Sequence, residues 1–190
     1  LGRQQSRSAL GELIKISIID GKSMVREIKQ AEEAPEKIIW GLLPKAIKAK
    51  LKIVKKDPFE TKGERQKLNL GHTLGHALEA QFRLPHGFAV AQGIYFSAQW
   101  SFYSQLLSAR SYSLIKDTLD RFFREQKLPD GQVIGNFRSE ELHKLLSVDK
   151  KLVGESRLDF IFIQDVGKTK VVTVAFNKLI REAARQGWVV

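Results

Sequence analysis

The stretch LNLGHTLGHALEA, residues 68–80, carries two of the chain's four histidines four positions apart, His72 and His76. Asn69 lies three residues before the first, and His86 follows ten after the second. Steps of three and four residues return to one side of an α-helix. A helix through this stretch therefore puts Asn69, His72 and His76 on one face, with Arg65 a turn earlier. Two imidazoles at i, i+4 grip a divalent ion in the HExxH zinc proteases, but the Glu of that pattern is missing here. Gly71 and Gly75 each cost about 1 kcal/mol relative to Ala inside a helix, so a close approach to that backbone is expected. His143, in EELHKLL, has no such company and reads as a surface residue.

A catalytic zinc site commonly has three N or O ligands and an open fourth position. GELIK (11–15) offers Glu12 and Lys15 on one face of an otherwise apolar helix, which is either a surface stripe or part of a site.

The chain has 190 residues, 43 % of them hydrophobic and 28 % charged, which suits one globular domain with a real core. No apolar run approaches the roughly 20 residues needed to cross a bilayer, so no membrane partner is expected. With no cysteine, disulfides and thiolate chemistry are excluded, and a reducing cytoplasm fits. A first residue of Leu, without a signal-peptide core after it, predicts a piece of a longer product. The net charge of +11 favours anionic partners. Nucleic acid is not expected, because no helix-turn-helix or RNP motif is present. The basic run KAIKAKLKIVKK (45–56) spaces its lysines as a solvated helix face.

Most of the chain reads helical. SALGELIKISII (8–19) places Leu10, Leu13, Ile14 and Ile18 at near-helical spacing. Further helices are expected from Ser23 to Gln30, from Pro35, over 44–56 with apolar residues at 46, 47, 51 and 54, and from Gly63 to Phe82. Others are expected over 88–107, 111–126, 138–148 and 176–187. LDFIFI (158–163) and KVVTVAF (170–176) read as the strands of a hairpin. VGKTK (166–170) resembles the end of a phosphate loop, but Phe162 stands where the Walker pattern needs Gly. The fold class is mainly α, a single domain over 1–190 with a small β-hairpin near the C-terminus. No dinucleotide-binding domain is legible.

At these residues the chain resembles the C-terminal domain of 3-dehydroquinate synthase, in the sugar phosphate cyclase superfamily. GELIK resembles A-E-x-I-K, KLKIVKKD (50–57) resembles K-x-x-V-V-x-x-D, and RQKLNLGHTLGHALE (65–79) matches R-x-x-L-N-x-G-H-T-x-G-H-A-x-E. HGFAVAQG (86–93) resembles H-G-E-A-V-x-x-G, and DKK (149–151) before a hairpin resembles the family's lysine segment. The resemblance implies zinc (or cobalt) ligands at Glu12, His72 and His86, and proton transfer and hydrogen bonding to substrate at His76. It implies substrate-binding roles for Lys15, Lys50, Arg65, Asn69 and one or both of Lys150 and Lys151, with Lys15 and Asn69 also close to the chemistry.

The family reaction converts DAHP, a seven-carbon keto-acid sugar phosphate, into 3-dehydroquinate and phosphate in the shikimate pathway, using NAD transiently. The resemblance also implies a homodimer and an N-terminal NAD-binding α/β domain, which is not legible in these 190 residues, so turnover is expected to need that domain in cis or in trans. Phe88 stands where the family usually has Glu in HGEAV, which calls the carboxylate support of His86 into question. Alternative readings are a related cyclase acting on another sugar phosphate, or a non-catalytic binding module on a degenerate fold.

Overall fold

Leu10, Leu13, Ile14 and Ile18 are all buried on helix α1 (Arg3–Asp20) of the computed structural model. The structure describes residues 3–31, 34–61, 63–125, 134–148 and 156–190. Gly21 breaks the chain after α1, and α2 (Lys22–Gln30) turns Met24, Val25 and Ile28 into the core. Helix α3 (Pro35–Lys56) begins at the expected Pro35, whose missing N–H costs nothing in a first turn. It runs on without a break through Pro44, so the expected separate segment 44–56 is the second half of one helix. Its buried stripe is Ile38, Ile39, Leu42, Ala46 and Ala49. Ile47 and Leu51, expected on the apolar face, are about half exposed (50 % and 49 %), while the small Ala46 and Ala49 are the buried residues of this half of the helix.

The expected helix from Gly63 to Phe82 is divided. Arg65–Asn69 forms a 3-10 turn, and helix α4 (His72–Phe82) starts only after Gly71. Gly71 has φ +80°, a left-handed conformation that ends helical continuity and suits glycine. Gly71 is therefore not a helix-interior residue; Gly75 is. Both glycines do meet the expected close approach. A Cβ on Gly71 would lie 2.6 Å from Val90 O, and one on Gly75 would lie 3.1 Å from Ala89 O.

Those partners belong to α5 (His86–Tyr103), the central helix, with Ala89, Val90, Ala91, Ile94, Phe96 and Ala98 buried around its circumference. It packs on α1, on α4, on α6 (Ala109–Glu125) and on strand β1 (Arg157–Asp165). Two of its crossings bring backbone against backbone. A Cβ on Gly93 would lie 1.8 Å from Gly71 O on the α4 side, and one on Gly11 would lie 2.0 Å from Gly87 O on the α1 side.

β1 pairs antiparallel with β2 (Lys168–Ala175), with Arg157 opposite Ala175 and Phe160 opposite Val172. Leu158, Phe160, Ile161, Phe162 and Ile163 are all buried, without the in–out alternation of a half-exposed strand. Trp100 of α5 packs against the rings of Phe160 and Phe162 at 4.7 and 4.9 Å, and Ser101 Oγ accepts from Ile163 N at 2.9 Å. At the hairpin tip Gly167 N donates to Ile18 O at 2.8 Å, covering the end of α1. Helices α7 (Ser139–Ser147) and α8 (Phe176–Arg185) complete the described elements. His143 is exposed on α7, as expected, with its ring 5.2 Å from that of Phe176.

The crossings predict opposite signs for two glycine-to-alanine changes, read by chemical denaturation. Gly93→Ala forces a methyl onto a backbone carbonyl and is expected to cost about 3 kcal/mol or more. Gly41→Ala, at an exposed position inside α3 with nothing among the described residues within 4 Å of the added carbon, is expected to stabilise by about 0.5–1 kcal/mol.

Candidate metal centre and adjoining cleft

Three elements each bring one donor to a common point. Glu12 projects from the middle of α1, His72 opens α4 and His86 opens α5. Arg83, at φ +53°, ends α4, and buried Leu84 and Pro85 lead directly into α5, so the reversal returns His86 to α4. One donor atom from each of Glu12, His72 and His86 lies within 4.8 Å of the others. His86 Nε2 is 3.4 Å and His72 Nε2 3.8 Å from the same carboxylate oxygen, Glu12 Oε1.

The far side of each donor shows what those atoms offer. His72 Nδ1 is 3.2 Å from Leu70 O, and a carbonyl only accepts, so Nδ1 carries the proton and Nε2 presents a lone pair. His86 Nδ1 is 3.0 Å from Glu79 Oε2, an acceptor, so Nδ1 carries a proton there too and the unprotonated site of the neutral ring is Nε2. The second Glu12 oxygen, Oε2, is 2.6 Å from the ammonium of Lys15, which is only 4 % exposed. Glu12 Oε1 is buried without a hydrogen-bond donor among the described residues. Three lone pairs thus converge with no proton between them. A carboxylate and two neutral imidazoles fit a divalent ion that accepts N and O ligands, zinc or cobalt.

Charge supports the same protonation states. Burial opposes ionisation of Glu12, but the charge and hydrogen bond of Lys15, with the two histidines, outweigh it and hold its pKa below the ordinary value. Burial, with the nearby Lys15 charge, pushes the His72 pKa down from 6.5 to about 4, so this imidazole is neutral at physiological pH.

Beside the cluster lies a cleft of about 690 Å³, walled by Gln66, Asn69, Thr73 and His76, by Asp159 and Ile161 of β1, and by Val171 of β2. His76 joins the two, with its ring 5.1 Å from that of His72 and 6.5 Å from that of His86. The expected single face of Asn69, His72 and His76 is not observed, because Asn69 sits on the 3-10 turn. Asn69 and His76 nevertheless share the cleft wall, while His72 turns to Glu12.

Other anion-binding residues expected from the sequence are less gathered. Arg65 donates through Nη1 to Pro58 O at 3.0 Å and stands 4.0 Å from Glu60, a cleft residue. Asp57, fully buried, holds this loop by accepting from Thr61 N and Arg65 N at 2.8 and 3.3 Å. Lys50 is exposed on α3 and lines neither the cluster nor the cleft. Lys150 and Lys151 lie outside the described residues.

The sequence reading gave Glu79 no role, although it closes the matched stretch 65–79 and continues the i, i+4, i+7 series from His72 and His76 along α4. Phe88 does not leave His86 unsupported. Its side chain turns away to α6, against Phe123 and Phe122 at 5.2 and 6.0 Å, while Glu79 supplies a carboxylate from α4.

With this geometry in hand, the comparisons with known proteins define the class. The profile of the 3-dehydroquinate synthase C-terminal family matches residues 9–152, and the chain belongs to that family. It is 34 % identical over 173 residues to 3-dehydroquinate synthase of Staphylococcus carnosus, covering 88 % of this chain and 46 % of that protein. The chain spans about half the length of the curated relatives it matches.

Sugar phosphate cyclases share the fold. 2-Deoxy-scyllo-inosose synthase, solved with carbaglucose-6-phosphate, NAD+ and Co2+, superposes with a TM-score of 0.72 at 21 % identity over 96 % of this chain and 52 % of that one. ValA, a 2-epi-5-epi-valiolone synthase from Streptomyces hygroscopicus solved with NAD+ and Zn2+, gives 0.72 at 16 % identity over 98 % of this chain and 52 % of that one. No helix among the described residues is long and apolar enough to cross a membrane.

A pH prediction follows from His72. As pH falls below 6.5 the unfolded chain protonates this residue, whereas the folded chain resists until about 4. Stability of the metal-free protein must therefore fall with pH across that window. Denaturation midpoints measured in chelator between pH 6.5 and 5 are expected to decline less steeply in His72→Asn. An unchanged slope would contradict the assignment.

Proposed function

We propose that this chain is the metal- and substrate-binding half of a 3-dehydroquinate synthase, which converts DAHP into 3-dehydroquinate and phosphate and takes its NAD from a separate α/β half. The observation that carries the reading is the buried, donor-less Glu12 Oε1 facing the Nε2 atoms of His72 and His86. These three residues fall within the stretch matched by the family profile, and the relatives at about 30 % identity are 3-dehydroquinate synthases.

In this reading Glu12, His72 and His86 hold zinc or cobalt. When bound, the ion supplies Lewis-acid polarisation of a substrate oxygen, and NAD supplies reversible hydride acceptance. The chain's own residues supply the remainder. Lys15 keeps Glu12 ionised from behind through its 2.6 Å contact. His76, which lines the cleft with its ring 5.1 Å from that of His72, takes a proton from a substrate hydroxyl and returns it in this reading. Asn69 orients substrate from the same wall. Lys50, Arg65 and one or both of Lys150 and Lys151 provide cations for the phosphate and carboxylate. Substrate and metal thus occupy one half of a site that NAD completes, in a protein acting in the cytoplasm as a homodimer.

Metal content after zinc loading tests the centre. One zinc per chain is expected, lost in Glu12→Ala, His72→Ala and His86→Ala; no zinc above background in the unmutated chain would overturn the reading. Mixed with an NAD-binding half, the chain is expected to turn over DAHP, and His76→Asn to lower kcat by about 10²–10⁴-fold while retaining zinc. A related cyclase reading draws on the fold shared with the inosose and valiolone synthases, and turnover of a different sugar phosphate in place of DAHP would establish it.

A further inference from the structure

The two imidazoles of the cluster have their proton positions set in different ways. His72 leans on a main-chain carbonyl, Leu70 O, which any side chain at position 70 preserves. His86 leans on a side chain, Glu79 Oε2 at 3.0 Å. Neutral histidine in water favours the proton on Nε2, the nitrogen that here must be bare to ligate. The two groups are also far from locked by packing, since the His86 and Glu79 side chains are 41 % and 40 % exposed. Orientation and tautomer of His86 therefore rest on the hydrogen bond itself.

Charge gives Glu79 a second part. Lys15, 2.6 Å from Glu12, offsets the negative charge of the one anionic donor. A dication entering that set meets one carboxylate, one ammonium and two imidazoles, with no net negative charge to receive it. Glu79, joined to the cluster through the His86 ring, restores a negative charge next to it.

We propose that Glu79 is the positioning residue of the metal centre. It accepts the Nδ1 proton of His86, leaves Nε2 aimed at Glu12 Oε1, and so takes the supporting place that Phe88, packed into the core against α6, does not fill. The inference rests on the metal-site reading of Glu12, His72 and His86. A carboxylate behind a ligating imidazole raises its basicity and fixes its ring, and loss of such a partner typically costs 10–100-fold in metal affinity.

The test uses the 190-residue chain with Glu79→Ala and Glu79→Gln. Zinc affinity is measured by competition with a chromophoric chelator. The His86 tautomer is read by long-range ¹H–¹⁵N correlation of the metal-free protein near pH 8.5, with His86 assigned by its loss in His86→Gln. In the unmutated chain His86 is expected as the Nδ1–H tautomer. Glu79→Ala is expected to shift it towards Nε2–H and to weaken zinc binding by about 10–100-fold. Glu79→Gln, which keeps an acceptor and loses the charge, is expected to retain the tautomer with a smaller loss.

Circular dichroism and denaturation midpoints near those of the unmutated chain are expected for both variants, given the exposure of Glu79. Zinc affinity within twofold in Glu79→Ala, or an unchanged His86 tautomer, overturns the inference and leaves the metal site standing. No zinc in the unmutated chain overturns the metal site, and this inference with it.

Discussion

Backbone-to-backbone contact at the helix crossings is the constraint on which the rest depends. Gly11 of α1 meets Gly87 of α5, and Gly71 ahead of α4 meets Gly93 of α5, at distances that leave no room for a Cβ. Each donor of the cluster is the sequence neighbour of one of these glycines. Glu12 follows Gly11, His72 follows Gly71 and His86 precedes Gly87. A ligand anchored beside a rigid crossing inherits its precision, because the helix cannot slide without driving one peptide into another. Ligand atoms within 4.8 Å of one another are the local result of that packing.

Electrostatics then decides which protonation states this geometry holds. A buried carboxylate would ordinarily resist ionisation, and Lys15 reverses that for Glu12. The same ammonium and the same burial keep His72 neutral. An ionised carboxylate and uncharged imidazoles are the forms that bind a metal, so the cluster needs little proton rearrangement before binding. The arrangement resists acid poorly, since protons taken up on His72 compete both with folding and with metal.

The cleft lies to one side of this centre, and its walls come from parts of the chain far apart in sequence. The 3-10 turn and α4 form one wall, and the hairpin forms another, held to α5 by Trp100 and Ser101 and to α1 through Gly167. The hairpin is thus a structural wall whose inner residues, Asp159, Ile161 and Val171, face the space beside His76. Lys50 stands outside this arrangement, and Arg65 reaches only its edge, 4.0 Å from Glu60. The relatives are about twice this length.

Taken alone, the sequence determined the helical class and the C-terminal hairpin, and its resemblance to a family named Glu12, His72 and His86 as ligand candidates. Spacing of three and four residues, short β-rich runs and specific motifs are local properties, legible without knowing what packs against what. Helix breaks were less legible. Gly63 to Phe82 reads as one periodic pattern, and only contact with Val90 and Ile94 shows why Gly71 takes a positive φ and splits it. Tertiary structure alone decided that GELIK is part of the cluster and not a surface stripe, because that depends on α1 crossing α5. It also decided that Glu79, not a residue beside His86 in sequence, supports His86, since a three-residue reversal folds α5 back along α4. Periodicity reports which side of a helix a residue occupies; what stands opposite is settled by packing between helices.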